Sequence, residues 1–124
     1  MRTDISDLEA LDIGRRTIVA SVRRDAPDLS ARQMSVLLTV YLTPQPHTVR
    51  GLSELLKVTK PAITRAVARL SELGMLRRKV DERDRRSVLI QRTVKGSVFL
   101  REYGELIVAA MRCDAVGDST RLPP

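Results

Sequence analysis

Tryptophan is absent from this 124-residue chain, and its aromatic side chains amount to two tyrosines and one phenylalanine. Proteins that hold single-stranded nucleic acid stack bases on aromatic rings. Tyr41, Phe99 and Tyr103 all lie outside the most basic third of the chain, which argues against that mode of binding. A single cysteine, Cys113, excludes an internal disulfide framework. It follows Arg112 near the end of the last predicted helix, and the plainer reading is an incidental thiol rather than an oxidant sensor. A single histidine, His47, beside Pro46 at a predicted turn, is too little for a metal centre, which needs several convergent ligands. The carboxylates are scattered. There is no phosphate-cradling glycine loop and no nucleophile–histidine–acid set. Neither catalysis nor a cofactor nor a metal is expected. The longest apolar run, Leu106 to Met111, is six residues, against about 20 for a membrane span. The polar start, Met1 to Asp7, lacks the apolar core of a signal peptide, so the expected location is the cytoplasm.

What the chain does have is positive charge, and it is concentrated. The formal charge is +7. Residues 1–49 carry six Lys/Arg and six Asp/Glu, residues 50–95 carry 13 and five, and residues 96–124 carry three and four. The whole excess therefore lies in the middle third, which reads as a footprint for a polyanion. At 124 residues the chain is long enough for one domain with a real core.

The hydropathy pattern predicts a mainly helical fold. An amphipathic helix is expected over residues 5–24, with Leu8, Leu11, Ile18, Val19 and Val22 near helical spacing. Ala26-Pro27-Asp28 ends it. Ser30, with Gln33 three residues on, opens a second helix through a capping box; that helix runs to about Leu42, where Thr43-Pro44-Gln45-Pro46 turns the chain. A short helix, Val49 to Leu56, follows behind Thr48. Thr59 then caps a longer one to Leu73, with Pro61 tolerated in the first turn and Gly74 as a left-handed stop. Met75 to Val80 and Ser87 to Thr93 read as strands. A last helix is expected from Val94 to Met111, and residues 113–124 as a loose tail.

On the Thr59–Leu73 helix, Ile63, Val67 and Leu70 share one face, and Pro61, Arg65, Ala68 and Glu72 oppose them. A short helix, a three-residue turn (Lys57-Val58-Thr59) and this helix have the layout of a helix-turn-helix. There the N-terminal part of the second helix reaches base edges in the major groove. Pro61, Thr64 and Arg65 are the candidates for base contact, and Arg65 leads because a guanidinium pairs with guanine O6 and N7. Lys60 and Arg69, off to the sides, suit phosphates. The run Val80-Asp-Glu-Arg-Asp-Arg-Arg-Ser87 forms the tip of a hairpin directly after this helix. Arg83, Arg85 and Arg86 supply charge for the DNA backbone or minor groove. Asp81 and Asp84 are placed to accept from a neighbouring arginine and fix its direction. Arg77, Arg78 and Lys79 add backbone candidates, with Arg92 and Lys95 weaker ones. The opposite reading, a solvated basic face that only keeps the protein soluble, is disfavoured because helix, turn and hairpin occur in sequence.

At this point the chain resembles the multiple-antibiotic-resistance regulator (MarR) family, over roughly Leu29 to Gly96. Its carriers are Leu52 to Leu70, Leu73-Gly-Met-Leu-Arg-Arg78, the spacing Asp81, Arg83, Arg86, and Thr93-Val-Lys-Gly96. The resemblance implies a winged helix-turn-helix over 29–93 flanked by dimerisation helices at 5–24 and 94–112. It implies a homodimeric transcriptional regulator, a repressor in function, on a pseudo-palindromic site of double-stranded DNA. It also implies release by a small-molecule effector or an oxidant. The dimer interface is expected from Leu8, Leu11, Ile18 and Val22 with Val98, Tyr103, Leu106 and Ile107, helped by Val94. Two substitutions depart from the family. Lys57 stands where glycine is frequent, which predicts mild backbone strain, and Arg92 where leucine is usual, which predicts a more solvated junction. Further, 28 residues follow Gly96, room for one helix and a tail where the family usually has two helices. The alternatives are a winged-helix protein-interaction module and a non-specific nucleic-acid binder.

Overall fold

A computed structural model of the chain describes residues 4–112. Cys113 and the tail behind it lie outside the described residues. Helix α1 spans Asp7–Arg23 and α2 Ala31–Leu42; strand β1 is His47–Thr48; α3 spans Val49–Leu56 and α4 Lys60–Glu72. Strands β2 (Leu76–Val80) and β3 (Val88–Arg92) form the hairpin, and α5 runs Val94–Arg112. Two compact units result, one from residues 4–28 and 101–112, the other Leu29–Leu100. Among the described residues no helix is long and apolar enough to cross a membrane.

The helix ends follow from local chemistry. Ser6 and Glu9 form a capping box on α1, and Ser30 and Gln33 one on α2. Each satisfies amides that have no intrahelical partner. Thr48 Oγ1 accepts the Gly51 amide at 3.0 Å at the start of α3. Thr59 caps α4, with Pro61 in its first turn. Past α4, Gly74 has φ +76°. Its amide donates to Ser71 and that of Met75 to Leu70, at 3.0 and 2.9 Å, a Schellman motif that needs the left-handed residue. The α3–α4 turn is tighter still. Lys57 itself takes φ 56°, ψ 44°, the left-handed conformation that costs a residue with a Cβ about 1–2 kcal/mol. The strain expected from a lysine in place of glycine is there.

The larger unit closes around one core. Val36, Leu37 and Val40 of α2, Leu52 of α3, Ile63, Val67 and Leu70 of α4, and Met75, Leu76 and Ile90 of the hairpin are all buried. The expected inner face of α4 is therefore the true one, widened by Ala62 and Ala66. Each such large side chain contributes about 1.5–3 kcal/mol. The sheet has three antiparallel strands in the order β1-β3-β2. β1, absent from the sequence reading, pairs His47 with Ile90 and Thr48 with Leu89. At two residues it is too short to leave a hydropathy pattern.

In the smaller unit, Asp12 is buried and paired with Arg15 at 3.1 Å and with Arg16. Arg16 Nη1 donates to the Ala110 carbonyl at 3.0 Å, and the Arg24 guanidinium lies 5.7 Å from the Tyr103 ring centre. Within one chain, then, α1 is joined to the last part of α5.

Candidate nucleic-acid interface

The recognition-type helix presents the residues that the sequence pattern singled out. Lys60, Pro61, Thr64, Arg65 and Arg69 are exposed on α4, with Pro61, Thr64 and Arg65 turned away from its buried face and Lys60 and Arg69 at its sides. The Arg65 side chain makes no hydrogen bond or ion pair to another described residue, which leaves its five donors available. Arg69 lies 3.6 Å from Glu72, so its charge is partly offset. Ala68 is half-buried and Glu72 exposed.

The hairpin tip is built differently from the sequence expectation. Asp81 Oδ1 accepts the backbone amide of Arg83 at 2.9 Å, and Asp84 Oδ1 that of Arg86 at 3.1 Å. Ser87 Oγ donates to Asp84 Oδ2 at 3.2 Å, and the Asp81 amide donates to the Ser87 carbonyl at 3.0 Å. The two aspartates shape the backbone in Asx turns rather than steer guanidinium groups. Among the described residues the one ion pair at the tip, Arg86 Nε to Asp84 Oδ1, is long at 3.8 Å and highly exposed, and so is worth little. Arg83, Arg85 and Arg86 all project from this ordered turn into solvent.

Along β2 the pleat divides the three cations. Successive side chains alternate between faces, so Arg77 and Lys79 share one face and Arg78 the other. Arg77 Nη2 donates to Gln91 Oε1 across the hairpin at 3.2 Å. Arg92 is exposed, as are Val94 and Lys95 beyond it, so the junction is solvated as expected, but its guanidinium is engaged: Nε donates to the Val40 carbonyl at 2.9 Å and Nη2 to that of Thr43 at 3.0 Å. Helix α2 ends with carbonyls in need of donors, and this guanidinium meets them. Lys95 lies over Gly74, its aliphatic chain within reach of a Cβ there.

Between the start of α3, the start of α4 and the hairpin lies an open groove lined by Thr48, Arg50, Lys60, Thr64, Arg86 and Ser87, among others. Arg50, paired with Glu54 at 3.4 Å, was missed by the sequence reading. Its isolated position in a short helix offers no signal; only the fold sets it beside Lys60 and Arg86. His47 is a structural residue: its Nε2 lies 3.2 Å from Thr43 Oγ1 and 3.3 Å from the Thr43 carbonyl. Among the described residues no cluster of His, Cys, Asp or Glu is suited to a metal ion.

The residues expected at a dimer interface divide into two sets. Leu11, Ile18, Val22 and Ile107 are exposed, at 54, 59, 63 and 37%. Leu8, Val98, Tyr103 and Leu106 are half-buried in their own chain. Val94, Val108 and Met111 are exposed as well.

Residues 28–87 match the model of the MarR family. No curated protein sequence matches the chain, but solved structures do. The transcriptional regulator BldR from Sulfolobus solfataricus is 29% identical with a TM-score of 0.61, covering 81% of this chain and 68% of BldR. YusO from Bacillus subtilis is 20% identical with a TM-score of 0.69, covering 82% of this chain and 70% of YusO. A mutant MarR from E. coli is 24% identical with a TM-score of 0.65, covering 81% and 69%. The five described helices, the three-stranded sheet with its basic hairpin, and the match over the helix-turn-helix agree: the described residues form a winged-helix fold, and residues 28–87 match the MarR family.

Proposed function

We propose that this protein is a sequence-specific regulator of transcription that binds double-stranded DNA as a homodimer and represses the genes it covers. The observation that carries the reading is the pairing of an exposed, unengaged Arg65 on α4 with an ordered basic tip beside it. Pro61, Thr64 and Arg65 read base edges in the major groove. Lys60, Arg69, Arg77 and Lys79 hold phosphates, joined by Arg50 across the groove. Arg83, Arg85 and Arg86 take the backbone or minor groove at the wing. The exposed apolar residues Leu11, Ile18, Val22 and Ile107 cover one another in the dimer, which sets two α4 helices about 34–36 Å apart on a pseudo-palindromic site. A small-molecule or oxidative signal releases the DNA.

The test is selection of genomic fragments on purified protein at about 0.15 M salt, where purely non-specific backbone contact is weakened. Wild type is expected to recover an inverted repeat with half-sites one helical turn apart. Arg65→Ala is expected to cost about 1–3 kcal/mol and to relax the preference at one base pair of each half-site. Random recovery, equal for both proteins, overturns sequence-specific binding and favours a protein-facing or non-specific basic surface.

A further inference from the structure

The root of the hairpin carries a set of contacts that DNA recognition by α4 and the wing leaves unused. Helix α2 ends before Pro44, and proline has no amide to give the Val40 carbonyl four residues back. Arg92, the last residue of β3, fills that place: Nε donates to Val40 at 2.9 Å and Nη2 to Thr43 at 3.0 Å. Its guanidinium carbon lies 5.9 Å from the Tyr41 ring centre. The Tyr41 hydroxyl accepts the Thr93 amide at 2.8 Å, and its own proton reaches the carbonyl of Met75 at 2.7 Å or of Thr93 at 3.0 Å. Thr93 Oγ1 donates to the Gly74 carbonyl at 2.7 Å. The two strands of the hairpin thus leave the fold from one knot around the end of α2. The same helix packs Val36, Leu37 and Val40 into the core that holds Ile63, Val67 and Leu70 of α4.

We propose that Arg92 is a positioning residue for DNA binding: it locks the root of the wing to α2, the helix that also seats α4, and so sets the angle between the two DNA-facing elements. It touches no phosphate. Geometry supports the assignment. Arg92 pairs with Leu76, and Val88 with Val80, at opposite ends of the hairpin. The ends are about 13 Å apart at 3.3 Å per residue, so a tilt of about 5° at the root displaces the start of the tip by about 1 Å. Lysine cannot replace this arginine, because an ammonium does not span two carbonyls in one plane. The inference rests on the reading that α4 and the wing meet DNA.

The experiment is a double-mutant cycle on the full chain, with a random-sequence duplex as probe, since backbone and minor-groove contacts by arginine depend little on base sequence. Arg92→Leu is expected to weaken binding about as much as Arg86→Ala, on the order of tenfold, and the double variant no further. Arg92→Lys is expected to behave like Arg92→Leu although it keeps the charge. Tyr41→Phe, which keeps the ring and removes the hydroxyl, is expected to be non-additive with Arg86→Ala as well, and serves if Arg92→Leu fails to fold. Multiplicative losses in the double variant, or wild-type affinity for Arg92→Lys, overturn the proposal in favour of a direct phosphate contact. A lowered unfolding midpoint with unchanged affinity overturns it in favour of a stabilising role alone. No loss on Arg86→Ala by itself overturns the wing reading on which the proposal stands.

Discussion

Two residues show how a single backbone position carries a cost that composition hides. Lys57 sits in the left-handed region, at φ 56°, where a Cβ crowds the following carbonyl. Lys57→Gly is expected to raise stability by about 0.5–1 kcal/mol, read from the urea midpoint, because relief of that strain outweighs the extra freedom of glycine in the unfolded chain. Gly96 presents the reverse case. A Cβ there meets the Tyr41 hydroxyl and the Met75 carbonyl. Gly96→Ala is expected to lower stability by about 1–3 kcal/mol, as overpacked sites do, seen in the same unfolding series. The first effect was legible through the family resemblance, which has glycine frequently where Lys57 stands. The second was not: nothing in Val-Lys-Gly-Ser says that a tyrosine 55 positions earlier would close on it.

At the scale of elements, the long periodic segments and their caps were readable. Ser30, Thr48, Thr59 and Gly74 each mark a boundary within a residue or so of where the helix begins or ends. Caps are local chemistry, so they survive the loss of tertiary information. The hairpin was readable as strand, basic loop, strand, but the work of its aspartates was not. A carboxylate in a tight loop has both amides and guanidinium groups in reach, and only the path of the chain decides between them. Here the amides of Arg83 and Arg86 are the ones met. Asp84→Ala is therefore expected to loosen the tip and weaken duplex binding by about 1 kcal/mol, with stability changed by no more than about 0.5 kcal/mol because the loop is exposed. Binding titrations beside thermal melts separate the two effects. Equal affinity would show that the tip needs no ordering.

At the scale of the whole molecule, charge and apolar surface are expected to act through assembly. The exposed stripe of Leu11, Ile18 and Val22 on α1 is more apolar surface than solvent favours. Ile18→Glu is expected to shift the protein to a monomer by sedimentation. DNA binding should fall with it, because one half-site then supplies all the contacts. A monomer that keeps full affinity would remove dimerisation from the mechanism. Wild-type affinity is expected to drop steeply with salt, by about 10³–10⁵ between 50 and 200 mM if six to ten phosphates are neutralised.

Local patterning was enough for the helices, for the caps at Ser30, Thr48, Thr59 and Gly74, for the basic hairpin and for the face of α4 that turns outward. All of these follow from neighbours a few residues apart, where periodicity and end chemistry dominate. Tertiary structure decided what long separations control. It brought Arg50 beside Lys60 and Arg86, added β1 to the edge of β3, and gave the Arg92 guanidinium the carbonyls of Val40 and Thr43 at the end of α2. The physical reason is the same in each case. An arginine has many acceptable partners, and only the folded chain determines which carbonyl, carboxylate or open groove is within its reach.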